Sequence, residues 1–212
     1  MSRRQPRTFY TSDLHFRHRR VAELRGFGED VERHDRTIAE AWNEIVEPED
    51  TVYVLGDVAV SDVSRALAIL KALPGKKHLV SGNHDPVHPM HRRTFARWMP
   101  RFLEVFDTVS PFLRRRIGGH QVLLSHFPYA EYGEGPHRGG AEASRHDQYR
   151  LPDMGLPILH GHTHQPERYH VDVGQLGSPR PPSIGIHVGV DAWGLAPVPQ
   201  EDIVAKLDEW AA

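Results

Sequence analysis

Five short apolar runs in this chain each stop on a residue that can bind a metal ion, and that repetition constrains the fold more than any other feature. Thr8 to Asp13 runs into Asp13-Leu14-His15, and Thr51 to Leu55 into Gly56-Asp57. Lys77 to Ser81 leads into Gly82-Asn83-His84-Asp85 and Gln121 to Leu124 into Ser125-His126, while Leu156 to Leu159 opens His160-Gly161-His162-Thr163-His164. Open α/β sheets gather their ligand-binding residues at such strand ends. Any one motif alone is weak, because Gly-Asn turns and solvated strand ends are common. Five in order are far more specific.

Between the runs the pattern switches to helical spacing. Val31 to Val46 carries Ile38, Ala41, Trp42 and Ile45 on one face, and Asp62 to Ala72 repeats the stripe with Val63, Ala66, Leu67 and Leu70. Pro74-Gly75 stops the second helix, which leaves a βαβ unit feeding Gly82 to Asp85. His91 to Met99 reads as a short helix closed by Pro100. From Val105 to Leu124 two extended runs meet at Gly118-Gly119, a hairpin that changes the pairing to antiparallel. Residues 127 to 155 lack periodicity and form a long loop inserted after His126, for which a lid over the site and a poorly ordered surface loop are equal alternatives. Tyr169 to Val173 and Ile184 to Val190 are further strands around a turn-like 174–182 stretch, and Gln200 to Trp210 is a closing amphipathic helix. The succession is that of an α/β (α+β) fold in a single domain, a size that 212 residues suit.

Composition narrows the chemistry. The net charge of −2 gives no global footprint of a nucleic-acid binder, and the absence of Cys removes thiolate zinc sites and disulfides. No window approaches the ~18 apolar residues of a membrane span, and the basic first residues run directly into a strand, so no membrane partner and a cytoplasmic location are expected. Oligomeric state is open, because no exposed stripe stands out.

The 16 His residues are the oddity. Asp13 and His15, like His162 and His164, are two apart, and on extended backbone such pairs leave one face and reach one ion together. Asp57 ends a buried-looking strand, where a carboxylate has to be paired, exposed or bound to metal. Asn83 adds a neutral amide oxygen, and a donor set of Asp, Asn and His suits manganese, iron or zinc.

Read together, D-x-H, G-D, G-N-H-D, a lone His and G-H-x-H in this order resemble the calcineurin-like metallophosphoesterases, over roughly seven-tenths of the chain. The resemblance implies the family's four-layer α/β/β/α sandwich with mixed sheets. It implies two divalent ions, manganese first with iron or zinc as alternatives. Asp13, His15, Asp57 and His164 would hold one, and Asp57, Asn83, His126 and His162 the other, with Asp57 bridging. His84 would be the catalytic His, and Asp85 is the candidate to orient it.

The metal motifs do not encode specificity; a phosphomonoesterase or diesterase acting on a small phosphorylated substrate, of phosphodiester or nucleotide type first, is expected ahead of a DNA or RNA nuclease, because the balance of charge is not strongly basic. A non-catalytic protein-binding scaffold is the reading from another class; such members tend to lose the His of G-N-H-D, which is present here as His84. Arg17 replaces a Gly common after D-x-H; a solvated loop Arg is the expected reading, a phosphate clamp the second. His137, Arg138, Arg145, His146 and Arg150 could close over a phosphate from the long loop, and Arg114 to Arg116 read as an edge guarded by charge. The block His187 to Trp193 resembles an N-V-G-V-D block of small bacterial and phage members, with His187 in place of the Asn, and reads as a core strand with Trp193 beneath the sheet.

Overall fold

The structure, a computed structural model, describes residues 4–135, 139–142, 145–173 and 180–212. Two five-stranded sheets share the work. In the first, β1 (Thr8–Thr11), β2 (Thr51–Val54), β3 (Lys76–Val80) and β4 (Thr108–Ser110) pair in parallel. The helices between them are α1 (Arg19–Leu24), α2 (Val31–Ile45), α3 (Val63–Ala72) and α4 (Phe95–Leu103). The chain then crosses Pro111 into the second sheet, where β5 (Phe112–Ile117) and β6 (His120–Ser125) form the hairpin. Its turn is Gly118-Gly119, with φ of 56° and 96°, the left-handed pair a two-residue hairpin needs. Next come β7 (Ile158–His160), β8 (Tyr169–Asp172) and β9 (Ser183–His187), ordered β5-β6-β7-β9-β8 with both parallel and antiparallel neighbours. Finally β10 (Val198–Pro199) returns to pair antiparallel with β1, and α5 (Gln200–Ala211) follows. This is a mixed α/β architecture with two mixed sheets, as the resemblance implied.

Alternation along the strands explains the layers. Phe9, Val52, Val54 and Leu79 face α2, α3 and α4 through Ile38, Trp42, Leu70 and Phe102. Tyr10, Tyr53 and Val80 face the other way, onto Val122, Leu124, Leu159, Ile184 and Ile186 of the second sheet, with Ile203 and Leu207 of α5 joining that core. Each such large side chain is worth about 1.5–3 kcal/mol when fully buried. The outer face of the second sheet, at Leu123 and Ile158, is covered by Tyr129, Tyr132 and Leu151 from the long 127–155 segment. That segment contains short 3-10 turns at Ala130–Tyr132, Gly140–Glu142 and Asp147–Tyr149, so its described residues are folded onto the sheet.

Some expectations need correction. Pro100 does not close α4 but lies inside it; Trp98, Met99 and Phe102 pack on the first core, and that burial outweighs the backbone bond a proline forfeits. Helix α1 gave no signal, because only Val21 and Ala22 are buried in six residues. The late strand ends at His187, and Val190–Ala192 is a 3-10 turn, with Trp193 partly buried against the second core and its Nε1 donating to His187 O at 2.8 Å. Part of the turn-like 174–182 stretch, like His137 and Arg138, lies outside the described residues. Strand β5 is an outer strand of its sheet with Arg114, Arg115 and Arg116 exposed, as expected.

Candidate metal centre

The motif residues meet where the ends of the two sheets face each other. Backbone bonds continue past the strands: Asp13 N and His15 N donate to Gly56 O and Asp57 O at 3.0 Å each, and Gly161 N donates to His126 O at 3.0 Å. A parallel bridge between Ser12 and Gly189 links one sheet's end to the other's. Space is tight here. A Cβ on Gly56 would lie 2.5 Å from Gly82 N and 2.7 Å from His126 Nδ1, so only glycine lets these two loops touch.

Five of the seven ligand candidates take a left-handed backbone: Asp13 (φ 57°), His15 (47°), Asp57 (54°), His162 (71°) and His164 (50°). The expectation that the paired residues share a face of extended strand is therefore corrected. They lie beyond β1 and β7, and side chains two apart converge because the backbone coils, not because it is pleated. Non-glycine residues in this region are uncommon and strained by of order 1–3 kcal/mol each, a cost that collects at functional sites.

The seven side chains come together. Asp13, His15 and His164 form one group with ligand atoms within 4.8 Å of one another, and Asp13, Asp57 and His126 form a second. Asp57 Oδ2 lies 3.7 Å from His15 Nε2 and 3.5 Å from His126 Nε2, so one oxygen faces both groups. Asn83 Oδ1 faces His126 Nε2 and His162 Nδ1, each at 3.0 Å.

Three imidazoles have their tautomers set from behind. His126 Nδ1 donates to Leu55 O at 2.8 Å, leaving Nε2 as a lone pair toward Asp57. His164 Nδ1 donates to Asp191 Oδ2 at 3.0 Å, leaving Nε2 toward Asp13 and His15. His162 Nε2 donates to Glu134 Oε2 at 3.0 Å, leaving Nδ1 toward Asn83. Lone pairs and acceptor oxygens thus point at one another, which is unfavourable without a cation and is what a cation needs. The residues present fit divalent metal.

The electrostatics agree. Burial pushes His15 and His126 below their ordinary range, and it brings His162 down to about 3 against the pull of Glu134, so these rings are neutral near pH 7, the form in which an imidazole can bind a metal. Burial opposes ionisation of Asp13, but the imidazoles of His164, His126 and His187 outweigh it and hold the carboxyl low.

His84 is 43% exposed at the side chain, with Nε2 4.0 Å from Asp57 Oδ2, and its backbone N donates to Asp57 Oδ1 at 2.9 Å. Asp85 does something other than orient that ring. Its carboxylate accepts from Gly82 N at 2.8 Å and from Asp57 N and Val58 N at 3.0 Å each, so it ties the Gly56-Asp57 loop to the Gly82-Asn83 loop. Arg17 is turned to acids, at 2.9 Å from Glu32 and 3.6 Å from Asp35. Arg150 and Arg145 pair with Glu134 at 2.6 and 2.7 Å, the former fully buried, and so support His162 from behind.

Sequence reading missed the supporting residues. Asp191 accepts from Arg25 through both oxygens, at 2.8 and 2.7 Å, and Arg25 also donates to Asp13 O at 2.7 Å. Asp191 stood in the quoted Val188-Gly189-Val190-Asp191 block and Glu134 between two glycines, while Arg25 carried no signal. His187 is buried 4.0 Å from Asp13 Oδ2.

The chain belongs to the calcineurin-like phosphoesterase superfamily, whose domain model matches residues 8–185. That superfamily consists typically of metal-dependent hydrolases, consistent with the Asp and His groups described above. Among individual proteins, the chain is similar to the Gene 66 protein of Mycobacterium phage L5, 42% identical over 203 residues and covering 88% of this chain and 87% of the relative. It is also similar to the Gene 66 protein of Mycobacterium phage D29, 40% identical over 212 residues, with 95% and 97% covered. A solved structure of a protein of unknown function from Aquifex aeolicus shares the fold, with a TM-score of 0.62, 24% identity, and 96% of this chain and 100% of that one covered. No helix among the described residues is long and apolar enough to cross a membrane.

Proposed function

We propose that this protein is a dinuclear metal-dependent phosphoesterase acting on small phosphodiesters or nucleotide-type esters. The observation that carries the reading is the fixing of three imidazole tautomers so that their free nitrogens converge on Asp13, Asp57 and Asn83. Asp13, His15, Asp57 and His164 would hold one ion and Asp57, Asn83, His126 and His162 the other, with manganese the ion this oxygen and imidazole set suits first. Two divalent ions bound there supply a water acidic enough to deprotonate near neutral pH and positive charge beside the phosphate.

The chain's own groups do the rest. Asp57 holds both halves of the site in register, and its Oδ1 pins the His84 backbone. The exposed His84 ring would hold a proton for the leaving oxygen, the role of a general acid. Asp191 and Glu134 keep His164 and His162 in the ligating tautomer.

The test is hydrolysis of bis-p-nitrophenyl phosphate and p-nitrophenyl phosphate by metal-stripped protein resupplied with manganese. Diester cleavage that chelator and Asp57→Asn both abolish supports the reading. Turnover of neither ester by protein shown to hold metal overturns it and favours a protein-binding role.

A further inference from the structure

The surface that continues from the metal-binding loops carries a run of uncompensated positive charge. Pro86 to Leu103 contains four arginines and no Asp or Glu, in a chain whose net charge is −2. Arg92 and Arg93 stand in the turn that leads into α4, Arg97 and Arg101 follow one turn apart on the helix, and all four are exposed. Elsewhere exposed or half-buried arginines are neutralised: Arg4, Arg7, Arg17, Arg19, Arg20 and Arg65 each lie within 3.7 Å of a carboxylate. Among the described residues no carboxylate pairs with Arg92, Arg93, Arg97 or Arg101; the last donates to Ser64 Oγ at 3.3 Å and sits over the Trp98 ring at 5.0 Å. Like charges one helical turn apart repel, so α4 gains no stability from this arrangement. The run is also tied to the site. His91 Nε2 donates to the backbone O of Asn83, a candidate ligand, at 2.8 Å, and Thr94 Oγ1 donates to Pro86 O at 3.0 Å. Beside these bonds Pro89, Arg92 and Phe95 line a cavity of about 270 Å³.

We propose that the exposed face from Arg92 to Arg101 docks the sugar–phosphate backbone of a single-stranded nucleic acid beside the metal centre. Charge complementarity asks for an anion, and the arrangement asks for one that repeats. Arg97 and Arg101 stand ~6 Å apart along the helix, close to the advance of two nucleotides of a stacked strand at ~3.4 Å each. A single phosphate would meet one of these arginines and leave the others unmatched. Phe95 and the planar guanidinium of Arg92, which share the cavity, offer faces on which an unpaired base can stack; in a duplex those base faces are hidden. An anionic membrane fits less well, because the exposed positions between the arginines of α4 are Ala96 and Pro100, which give a bilayer nothing large to bury. The chain as a whole is not basic, so the attraction is confined to this face, and the His91 bond to Asn83 O places its near end against the loop that carries His84.

The experiment is fluorescence-anisotropy titration of the full chain, in chelator, against a labelled oligothymidylate of about 20 nucleotides. Wild type should bind, its log affinity falling against log salt by about 0.7 for each phosphate contacted. Arg97→Gln combined with Arg101→Gln should weaken binding about tenfold and flatten that slope by two contacts' worth. Arg114→Gln combined with Arg116→Gln removes the same charge from exposed β5 and should change neither quantity. Urea midpoints confirm that both double variants are folded. No binding at about 50 mM salt, an equal loss in the two double variants, or a duplex of the same length that binds as tightly overturns the proposal. Capture of the protein by phosphatidylserine vesicles in preference to the oligonucleotide overturns it too and assigns the face to a membrane. Because binding is read without metal, failure of the phosphoesterase reading leaves this result standing.

Discussion

Asp191 Oδ2 accepts from His164 Nδ1 at 3.0 Å and from Arg25 Nη2 at 2.7 Å, so one partly buried carboxylate both orients a candidate ligand and is itself gripped by a cation. Burial opposes its ionisation, but the bonds from Arg25 and His164 prevail and hold it well below the ordinary carboxylate range. Asp191→Asn keeps the volume and removes the charge that matches Arg25. Manganese affinity, measured by competition with a chelating dye, should fall by about 10–100-fold, the usual cost of losing such a supporting partner. Unchanged affinity would show that Asp191 serves only the fold.

Asp85 makes a stability prediction instead. Two oxygens accept from three amides, and an Asn at this position offers only one oxygen, so at least one buried N–H of Gly82, Asp57 or Val58 loses its partner. Asp85→Asn should cost about 1–3 kcal/mol in urea unfolding of chelator-treated protein. A cost near zero would mean that the two loops hold together without this carboxylate.

His84 separates metal binding from catalysis. It supplies no side-chain ligand to either group of metal-binding residues, so His84→Ala should retain its metal by elemental analysis. Turnover should drop by about 10²–10⁴-fold, most for esters with poor leaving groups. The same loss for good and poor leaving groups would remove the proton-donor role.

His88 gives a pH dependence away from the ligands. It is 3% exposed, its Nδ1 accepts from Met90 N at 3.2 Å, and its ring meets Phe127 and Tyr149 edge-on. Burial, helped by His126, His91 and His146, pushes it from 6.5 down to about 4. Between those values the unfolded chain binds the extra proton and the folded one does not, so stability is full above pH ~6.5 and declines as pH falls toward ~4. In metal-free protein the urea midpoint should fall across that window. His88→Asn, whose Oδ1 can still accept from Met90, should show a shallower decline; an identical slope would assign the effect to other buried histidines.

Much of this architecture can be read locally. Thr51 to Leu55 and the stripe Ile38, Ala41, Trp42, Ile45 announce themselves because burial on one face dictates their spacing. Pro100 misled because local backbone preference is outvoted by Trp98 and Phe102 packing on a core built from distant residues. The ligands were legible since each closes a strand. Their supports were not, because Arg25 and Asp191 are 166 residues apart and Glu134 reaches His162 across 28. Nor does any local signal announce that Asp13 and His164 take left-handed backbone, which the assembled loops impose.

Asp13, His15, Asp57 and Asn83 belong to the first sheet's loops, while His126, His162 and His164 belong to the second's, and the first sheet's four parallel strands are complete by Ser110. Neither half of the polypeptide would carry a whole coordination sphere of the two proposed ions. A growing chain would therefore acquire full metal affinity only after its second half has emerged and docked, and metal capture would serve as the late latch that reports completed assembly.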